Sequence, residues 1–449
     1  MSKSKTVDLT SGPILKTLAE LALPIMISSM LGTAYSIMDM AWIGLLGAKA
    51  VAGVGVGGMY VWLSQGLASL SRMGGQVNTA QACGRKDYDQ ARSYAASSLQ
   101  LTALSGILFA AVCVIFIQPL LGFFNLTDAE TYTAARSYTL ITCGLILFSY
   151  LNLTLTGLST AQGDSRTPLL ANFIGLAGNI ILDPLLIFGV GIFPEMGIRG
   201  AALATGLGQV FTVIVYLIAY KKCSIPVEIS RKYLELNRNL DGKLYMVGIP
   251  AILNIALPSV LISFLNQILS AFSGSYVVVL GIYYKLQTFL YLPASGIVQG
   301  MRPLIGYNYG AGEIQRVKKL FGISVLLNGM IMLAGTIICF TVSETLMGMF
   351  TENPETVRLG TAALQIISIG FIPSAISVTA SGALEGLSKG AQSLVISLLR
   401  YIIVIIPAAY LLCHFAGADA VWNAFWICEF ITAVVVGIGI KYYWNRLLQ

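Results

Sequence analysis

Charged side chains are scarce in this sequence: Asp, Glu, Lys and Arg make up only 10% of its 449 residues, whereas apolar residues make up 56%. Soluble globular proteins carry about 25% charged residues, so this chain lacks the side chains to cover a soluble surface. Uncharged runs long enough to cross a bilayer as helices recur along it, for example "LTALSGILFAAVCVIFIQPLLGFF". The composition excludes a soluble enzyme and indicates a polytopic membrane protein spanned by α-helices.

Metal-ligating and redox-active side chains are also few. His414 is the single histidine, at the end of an apolar run, and none of the seven cysteines forms a CxxC pair. One histidine gives zinc chemistry almost nothing to work with, and scattered cysteines pack like small apolar residues. No HExxH motif is present. We therefore expect no metal site, no cofactor and no enzymatic activity, and we interpret His414 as an interfacial residue.

Hydropathy predicts twelve transmembrane helices. Their approximate bounds are 15–44, 50–80, 91–120, 130–161, 167–190, 197–221, 243–272, 276–308, 315–342, 355–384, 391–414 and 419–444.

The connections between these spans differ in charge. Of the 27 Lys and Arg residues, 19 fall on the side that carries both termini. The opposite side has four, which are Lys49, Arg136, Arg199 and Arg358. The remaining four lie within spans and are Arg72, Lys285, Arg302 and Arg400. Because cytoplasmic loops carry the excess of positive charge, we expect a protein of the cell membrane with both termini in the cytoplasm. The net charge of +7 then reflects orientation, and we expect no nucleic-acid binding.

The chain repeats itself at a spacing of about 226–228 residues. "LALPIMISSML" near residue 21 matches "VGIPAILNIAL" near 247, and "GFFNLTDAETYTAARSY" matches "GMFTENPETVRLGTAAL". Each repeat holds six spans, an even number, so the repeats are parallel. We predict an all-α fold with an N-lobe (1–221), a cytoplasmic linker (222–242) and a C-lobe (243–449) around a central cavity.

Several motifs, in this order along the chain, resemble those of the MATE (multidrug and toxic compound extrusion) transporters. They are "YSIMDMAWIGLLGAKAVAGVGV", "AQGDSRTPLL", "GNIILDPLLIFG", "GIRGAALAT", "RPLIGYNYGAG" and "SLLRYIIVIIP". The resemblance implies a secondary active exporter of cationic, amphipathic, often aromatic compounds, which exchanges them for H⁺ or Na⁺ by alternating access. The same superfamily includes lipid-linked saccharide flippases, an alternative that the basic residues within the spans leave open.

Two carboxylates lie deep in the first repeat. A charged residue at a helix centre costs about 2.5–3.5 kcal/mol on insertion scales, so Asp39 and Asp183 indicate an ion pathway; a structural carboxylate is the alternative. Asn179 lies one helical turn before Asp183, and proline follows the acid directly. The resemblance implies that Asp39, Asn179, Asp183 and Thr205 form the cation pocket, and the residues do not decide between H⁺ and Na⁺.

The second repeat lacks these acids. The position equivalent to Asp39 falls near Leu265, and the position equivalent to Asp183 falls near Ile406. Cation coupling is therefore expected in the N-lobe alone.

A third acid, Glu429, lies in the last span. Arg400 and Lys285 are its candidate partners in the same lobe. We predict a buried ion pair that fixes helix packing, and a proton site or a site for the charge of a drug is the alternative.

Methionine and aromatic faces adapt to varied flat cations, although membrane helices use the same residues for ordinary packing. We predict that the substrates are small organic cations and that the protein is a monomer embedded in the bilayer. The predicted substrate-binding residues are Met26, Met30, Tyr35, Met38, Tyr283, Tyr284, Gln287 and Tyr291.

Overall fold

The computed structural model describes residues 9–222 and 238–447, which are helical with no strand among them. The helices are α1 (Ile14–Gly44), α2 (Ala48–Gly84), α3 (Tyr88–Ile115), α4 (Ile117–Gly122), α5 (Ala129–Gly144), α6 (Ile146–Ala161), α7 (Arg166–Phe188), α8 (Ile198–Lys222), α9 (Arg238–Ser270), α10 (Gly274–Gly310), α11 (Ile314–Thr341), α12 (Ser343–Gly348), α13 (Pro354–Ser368), α14 (Phe371–Gly386), α15 (Gly390–Leu398), α16 (Ile405–Ala416) and α17 (Asn423–Leu447). A π-helical turn, Leu399–Ile403, joins α15 to α16, and a 3₁₀ turn, Ala418–Trp422, precedes α17.

Nine spans in the described residues are long and apolar enough to cross a membrane, and eleven if each of two bent helix pairs counts as one. The one predicted span outside this count, 50–80, coincides with α2, which has 37 residues but is rich in glycine and polar residues. The expected all-α, multi-pass membrane protein is confirmed.

The two repeats break their helices at matching places. In the first repeat α5 and α6 are bent by 47° around Leu145, and in the second α13 and α14 are bent by 56° beside Gly370. Each bent pair also begins with the same kind of cap: the side chain of Asp128 accepts a hydrogen bond from the Thr131 amide at 2.8 Å, and Asn353 accepts one from the Glu355 amide at 3.0 Å. These caps satisfy amides that a helix start leaves without partners.

The described residues pack into two compact units. The boundary between the units falls inside the first helix of each repeat, so each of these two helices is shared by both units. The N-unit consists of Met1–Leu9 and Ile27–Gly248, and the C-unit consists of Thr10–Met26 and Ile249–Gln449, counting the described residues within these bounds. Thus α1 begins in the C-unit and ends in the N-unit, whereas α9 begins in the N-unit and ends in the C-unit.

Glycines at equivalent positions of the two repeats make room for the first parts of α1 and α9, which pack in the unit formed mainly by the other repeat. In the C-unit, a Cβ at Gly300 of α10 would lie 2.8 Å from the Ala22 Cα of α1. In the N-unit, a Cβ at Gly74 of α2 would lie 2.6 Å from the Leu244 carbonyl oxygen of α9. Only glycine allows backbones to approach this closely, a common device of membrane helix pairs.

The lobes predicted at 1–221 and 243–449 refer to chain order and stay a prediction. Of the predicted linker 222–242, residues 223–237 lie outside the described residues.

Candidate functional site

The N-unit carries a buried acid on α7. Asp183 is fully buried, and the Asn179 side-chain nitrogen, one turn earlier, donates to Asp183 Oδ1 at 3.3 Å. The helix continues through Pro184 and ends at Phe188, where Gly189 takes the left-handed conformation. Proline supplies no amide to the carbonyl one turn earlier, so an acceptor is left without its helical partner beside the acid.

A second buried acid faces the same region from α1. Asp39 is 9% exposed, and it lies close enough to Asp183 for the two carboxyl groups to interact electrostatically. The hydroxyls of Tyr35 and Thr205 are 3.2 Å apart, and the Thr205 hydroxyl donates to the Ala201 carbonyl at 3.0 Å. The structure therefore gathers all four residues of the predicted cation pocket, with Tyr35 beside them.

Tyr138 on α5 is a further member of this group that the sequence did not reveal. Its buried hydroxyl is within electrostatic range of both carboxyl groups. A tyrosine in an apolar helix is common, and no spacing along the chain connects residue 138 with residue 39 or 183.

Three oxygen atoms of the acid site have no hydrogen-bond partner among the described residues. They are Oδ1 of Asp39, Oδ2 of Asp183 and Oδ1 of Asn179, and all three are buried. Buried polar atoms are nearly always satisfied, and two nearby carboxylates resist being ionised together. This arrangement suits a proton held by the pair, or a small cation coordinated by oxygen atoms.

The equivalent region of the C-unit is built differently. Leu265 is fully buried and Ile406 packs against the same apolar core, so neither position supplies a charge. Instead, Arg400 in the π-helical turn donates from Nε to both carboxylate oxygens of Glu429, at 3.0 and 3.1 Å, and also from Nη2. Lys285, the other candidate partner, has an exposed side chain on α10.

The predicted substrate residues of α10 lie beside this pair. Tyr283, Tyr284, Gln287 and Tyr291 line one small cleft of about 30 Å³ in the C-unit together with Arg400 and Glu429. The Tyr283 ring packs against Tyr284 at 5.1 Å and against Phe425 at 5.3 Å between centroids.

The predicted methionines are not gathered at one site. Met26 lies in the C-unit, where it faces Gly296 of α10. Met30 and Met38 belong to the N-unit part of α1 and are 57% and 44% exposed.

A second buried ion pair of the C-unit was missed by the sequence reasoning. Arg302 Nη2 of α10 lies 2.6 Å from Glu385 Oε2 of α14. The Asn254 side chain of α9 and the Ser393 hydroxyl of α15 donate to the other carboxylate oxygen at 3.0 and 3.2 Å. The position of Arg302 within a span is the available signal, because a charge in a membrane needs a partner, but it does not identify Glu385.

Comparison with known proteins identifies the family. A family model described as MatE matches residues 24–185 and matches again over 250–411. The chain belongs to the MatE family. The two matched segments begin 226 residues apart, so the internal duplication expected from the sequence is confirmed along with the resemblance to MATE transporters. Members of this family are membrane transporters rather than enzymes.

Relatives and solved structures agree with this assignment. The multidrug export protein MepA of Staphylococcus aureus (strain bovine RF122 / ET3-1) is 24% identical over 440 residues, which cover 97% of this chain and 95% of MepA. The probable multidrug resistance protein NorM of Thermotoga maritima is 27% identical over 404 residues, covering 89% and 86%.

A crystal structure of a MATE protein in the bent conformation superposes with a TM-score of 0.92 at 23% identity, covering 99% of both chains. A MOP superfamily transporter from Pyrococcus furiosus superposes with a TM-score of 0.91 at 22% identity, covering 100% of both. At these identities the structures show that the fold is shared.

Proposed function

We propose that this protein is a secondary active multidrug efflux transporter that exports cationic, amphipathic organic compounds in exchange for H⁺ or Na⁺ by alternating access. The observation that carries the proposal is the buried acid site of the N-unit, where one oxygen atom each of Asp39, Asn179 and Asp183 has no hydrogen-bond partner in the described part of the chain. The names of the MepA and NorM relatives, which describe multidrug export and resistance, support the export of drugs.

The coupling follows from the energy of charge in an apolar site. Two ionised carboxylates at this depth repel each other and are poorly solvated. Binding of a proton or a cation removes that penalty and favours one packing of α1 against α7. Substrate and ion need not share a site, because exchange requires only that they favour opposite states of one conformational equilibrium.

Thr205 and Tyr35 complete the acid site in this proposal. Their paired hydroxyls offer further oxygen atoms next to the carboxyl groups, either as ligands of a cation or as hydrogen-bond partners that hold α1 against α8. Met26, Met30 and Met38 are the flexible apolar contacts for substrate on α1, and the tyrosines of α10 are the aromatic ones.

The 19 to 4 charge asymmetry supports a cytoplasmic membrane location with both termini in the cytoplasm, and the proposed transporter is a monomer. The saccharide-lipid flippase is not preferred, because two of the basic residues within spans, Arg302 and Arg400, are each neutralised by a glutamate. A strongly cationic cavity would need such charges to be uncompensated.

The test is ATP-independent uptake of a fluorescent organic cation by proteoliposomes, with a pH gradient and a Na⁺ gradient imposed separately. Asp183→Asn should abolish gradient-driven transport while the protein expresses and folds, and Asp39→Asn should bind the dye weakly without any dependence on the ion. Asp128→Asn, at the start of α5, is the matched control carboxylate and should transport like wild type. Full gradient-driven transport by a well-folded Asp183→Asn protein would remove the acid site from the coupling mechanism.

A further inference from the structure

A groove of about 480 Å³ lies on the C-unit between α11 and α17. Both helices pack against α14, which forms the floor of the groove. The apolar wall consists of Phe321 and Val325 of α11, Ile376 of α14 and Ile440 of α17. Three of these side chains pack on a buried apolar cluster of the same unit, so the wall is a fixed surface. Ligand pockets have volumes of about 300–1,000 Å³, and the groove is therefore large enough for an elongated apolar chain.

Two lysines line the groove at one end. Lys318 is in the second turn of α11, two turns before Val325, and Lys441 lies one turn after Gly437 near the end of α17. Lys318 is half-buried and Lys441 is exposed. Lysines near helix ends extend along apolar walls in this way and place the ammonium group at the membrane surface. In the proposed orientation this end of the groove faces the cytoplasm, the side on which membranes present anionic headgroups.

The first repeat carries a carboxylate at the place where the second repeat has none. The helices α3 and α11 begin 226 residues apart, at Tyr88 and Ile314, so Arg92 is the equivalent of Lys318. Arg92 Nη1 lies 3.2 Å from Asp89 Oδ1, whereas the residue three positions before Lys318 is the neutral Gln315. An anion at Lys318 therefore meets no acid at the position that Asp89 occupies in the first repeat.

The groove is on a surface that contacts hydrocarbon. Leu326, next to Val325, is 64% exposed, and Ile438, next to Gly437, is 67% exposed. Gly437 itself leaves open space, because a Cβ at this position would have no atom within 4 Å. Exposed apolar patches of this kind mark contact with a membrane, so the molecule that fills the groove comes from the bilayer. A phospholipid supplies both parts that the groove matches, an apolar chain and a charged headgroup.

We propose that this groove binds an anionic glycerophospholipid of the cytoplasmic leaflet. One acyl chain lies along Phe321, Val325 and Ile440, and the headgroup phosphate lies between the ammonium groups of Lys318 and Lys441. Basic pockets between transmembrane helices on the cytoplasmic side bind anionic headgroups, and lysine binds phosphate as a compact charge. The proposal goes beyond the export function, because it involves neither the substrate nor the coupling ion.

Two lipids with the same acyl chains and different headgroups provide the test. Palmitoyl-oleoyl phosphatidylglycerol is anionic, and palmitoyl-oleoyl phosphatidylcholine is zwitterionic. Native mass spectrometry of the purified, full-length protein gives the dissociation constant of the first lipid bound, and the ratio of the two constants is the headgroup preference. We expect wild type to prefer phosphatidylglycerol. Lys318→Gln and Lys441→Gln should each lower the preference about fivefold, and the double variant should lower it about 25-fold, the value of one and two basic residues at a membrane surface.

Lys319→Gln is the matched control. Lys319 has the same charge and lies on the same helix at the same depth, but it is exposed and does not line the groove. Its replacement should leave the headgroup preference unchanged, which separates a site from a general attraction between a basic surface and anionic lipid.

A variant of the apolar wall tests the position of the acyl chain. Gly437→Leu places a side chain in the open space of the groove, and leucine is favoured over glycine within a helix, so the protein should fold. We expect this variant to weaken the binding of both lipids at least about fivefold and to keep their ratio. Glycerol 3-phosphate, which has the phosphate without the chains, should not displace phosphatidylglycerol.

Three results would each refute the lipid site. The first is equal affinity of wild type for the two lipids, and the second is a wild-type headgroup preference in the double lysine variant. The third is displacement of phosphatidylglycerol by glycerol 3-phosphate together with unchanged binding by Gly437→Leu, which would show a site for free phosphate instead. None of these results bears on ion-driven export, which the proteoliposome assay decides separately.

Discussion

The ion pair between Arg302 and Glu385 allows a quantitative prediction about stability. The two side chains are only 11% and 7% exposed, and their nearest atoms are 2.6 Å apart. In the first repeat, the equivalent contact between α2 and α6 is neutral: the Gln76 side-chain nitrogen donates to the Thr160 hydroxyl at 2.7 Å. The informative changes are therefore Arg302→Gln and Glu385→Gln, made singly and together.

Each single change leaves one buried charge without its counter-charge. Taking about 4 Å between the charge centres and an effective dielectric constant of about 20, the lost attraction is about 4 kcal/mol, in line with the roughly 3–5 kcal/mol found when buried pairs are broken. The double change leaves no charge, and an amide at position 385 can still accept from Asn254. We therefore expect each single variant to be destabilised by about 3–5 kcal/mol and the double variant to lie within about 1 kcal/mol of wild type.

Thermal unfolding of the purified protein, followed by the loss of its folded monomer on gel filtration, measures this cycle. With about 2–4 °C per kcal/mol for a unit of this size, each single variant should lose about 6–20 °C in Tm, and the double variant less than about 4 °C. If the losses of the single variants simply added in the double variant, the residues would contribute by packing alone, and the reasoning from charge would be wrong.

Two further predictions concern the topology and the pH dependence. A cysteine in place of Leu448 should resist impermeant thiol reagents in intact cells, whereas one in place of Leu45, 68% exposed between α1 and α2, should react; rapid labelling at 448 from outside would overturn the cytoplasmic location of the C-terminus. Hydrogen bonds from the Thr131 amide and hydroxyl hold the pKa of Asp128 below its usual value of 3.8, so its contribution to stability is present above about pH 4 and is lost as pH falls through that lowered pKa. Asp128→Asn keeps the cap without this dependence, so the difference in Tm between wild type and variant should shrink between pH 4 and pH 2.5, and a constant difference would contradict the assignment.

Hydropathy and the internal repeat were enough to predict the helical fold. An apolar chain crosses a lipid bilayer as helices, and the thickness of the bilayer sets the length of each apolar run. Hydropathy predicts 130–161 and 355–384 as single spans, whereas the structure bends them at Leu145 and beside Gly370. No proline marks the first bend, and an apolar run reads the same whether its helix is straight or broken.

The acid site was accessible from the sequence because carboxylates are rare in apolar spans and Asn179 stands one turn from Asp183. Its other members depend on contacts between distant helices. The partner of Glu429 could not be selected between Arg400 and Lys285, since both lie in spans of the same repeat. Tyr138 and Glu385 carry no local pattern that connects them with their partners.

The first parts of α1 and α9 each belong to the unit formed mainly by the other repeat, and this affects whether either half of the chain can fold alone. Neither repeat contains the full set of segments that makes up a compact unit: the C-unit takes Thr10–Met26 from the first repeat, and the N-unit takes residues up to Gly248 from the second. The arrangement is a reciprocal domain swap within one polypeptide. A fragment ending before α9 would lack the segment that packs on Gly74, and a fragment beginning at α9 would lack the segment that packs on Gly300. We therefore expect each fragment to be unstable alone and the two fragments to complement each other when they are co-expressed.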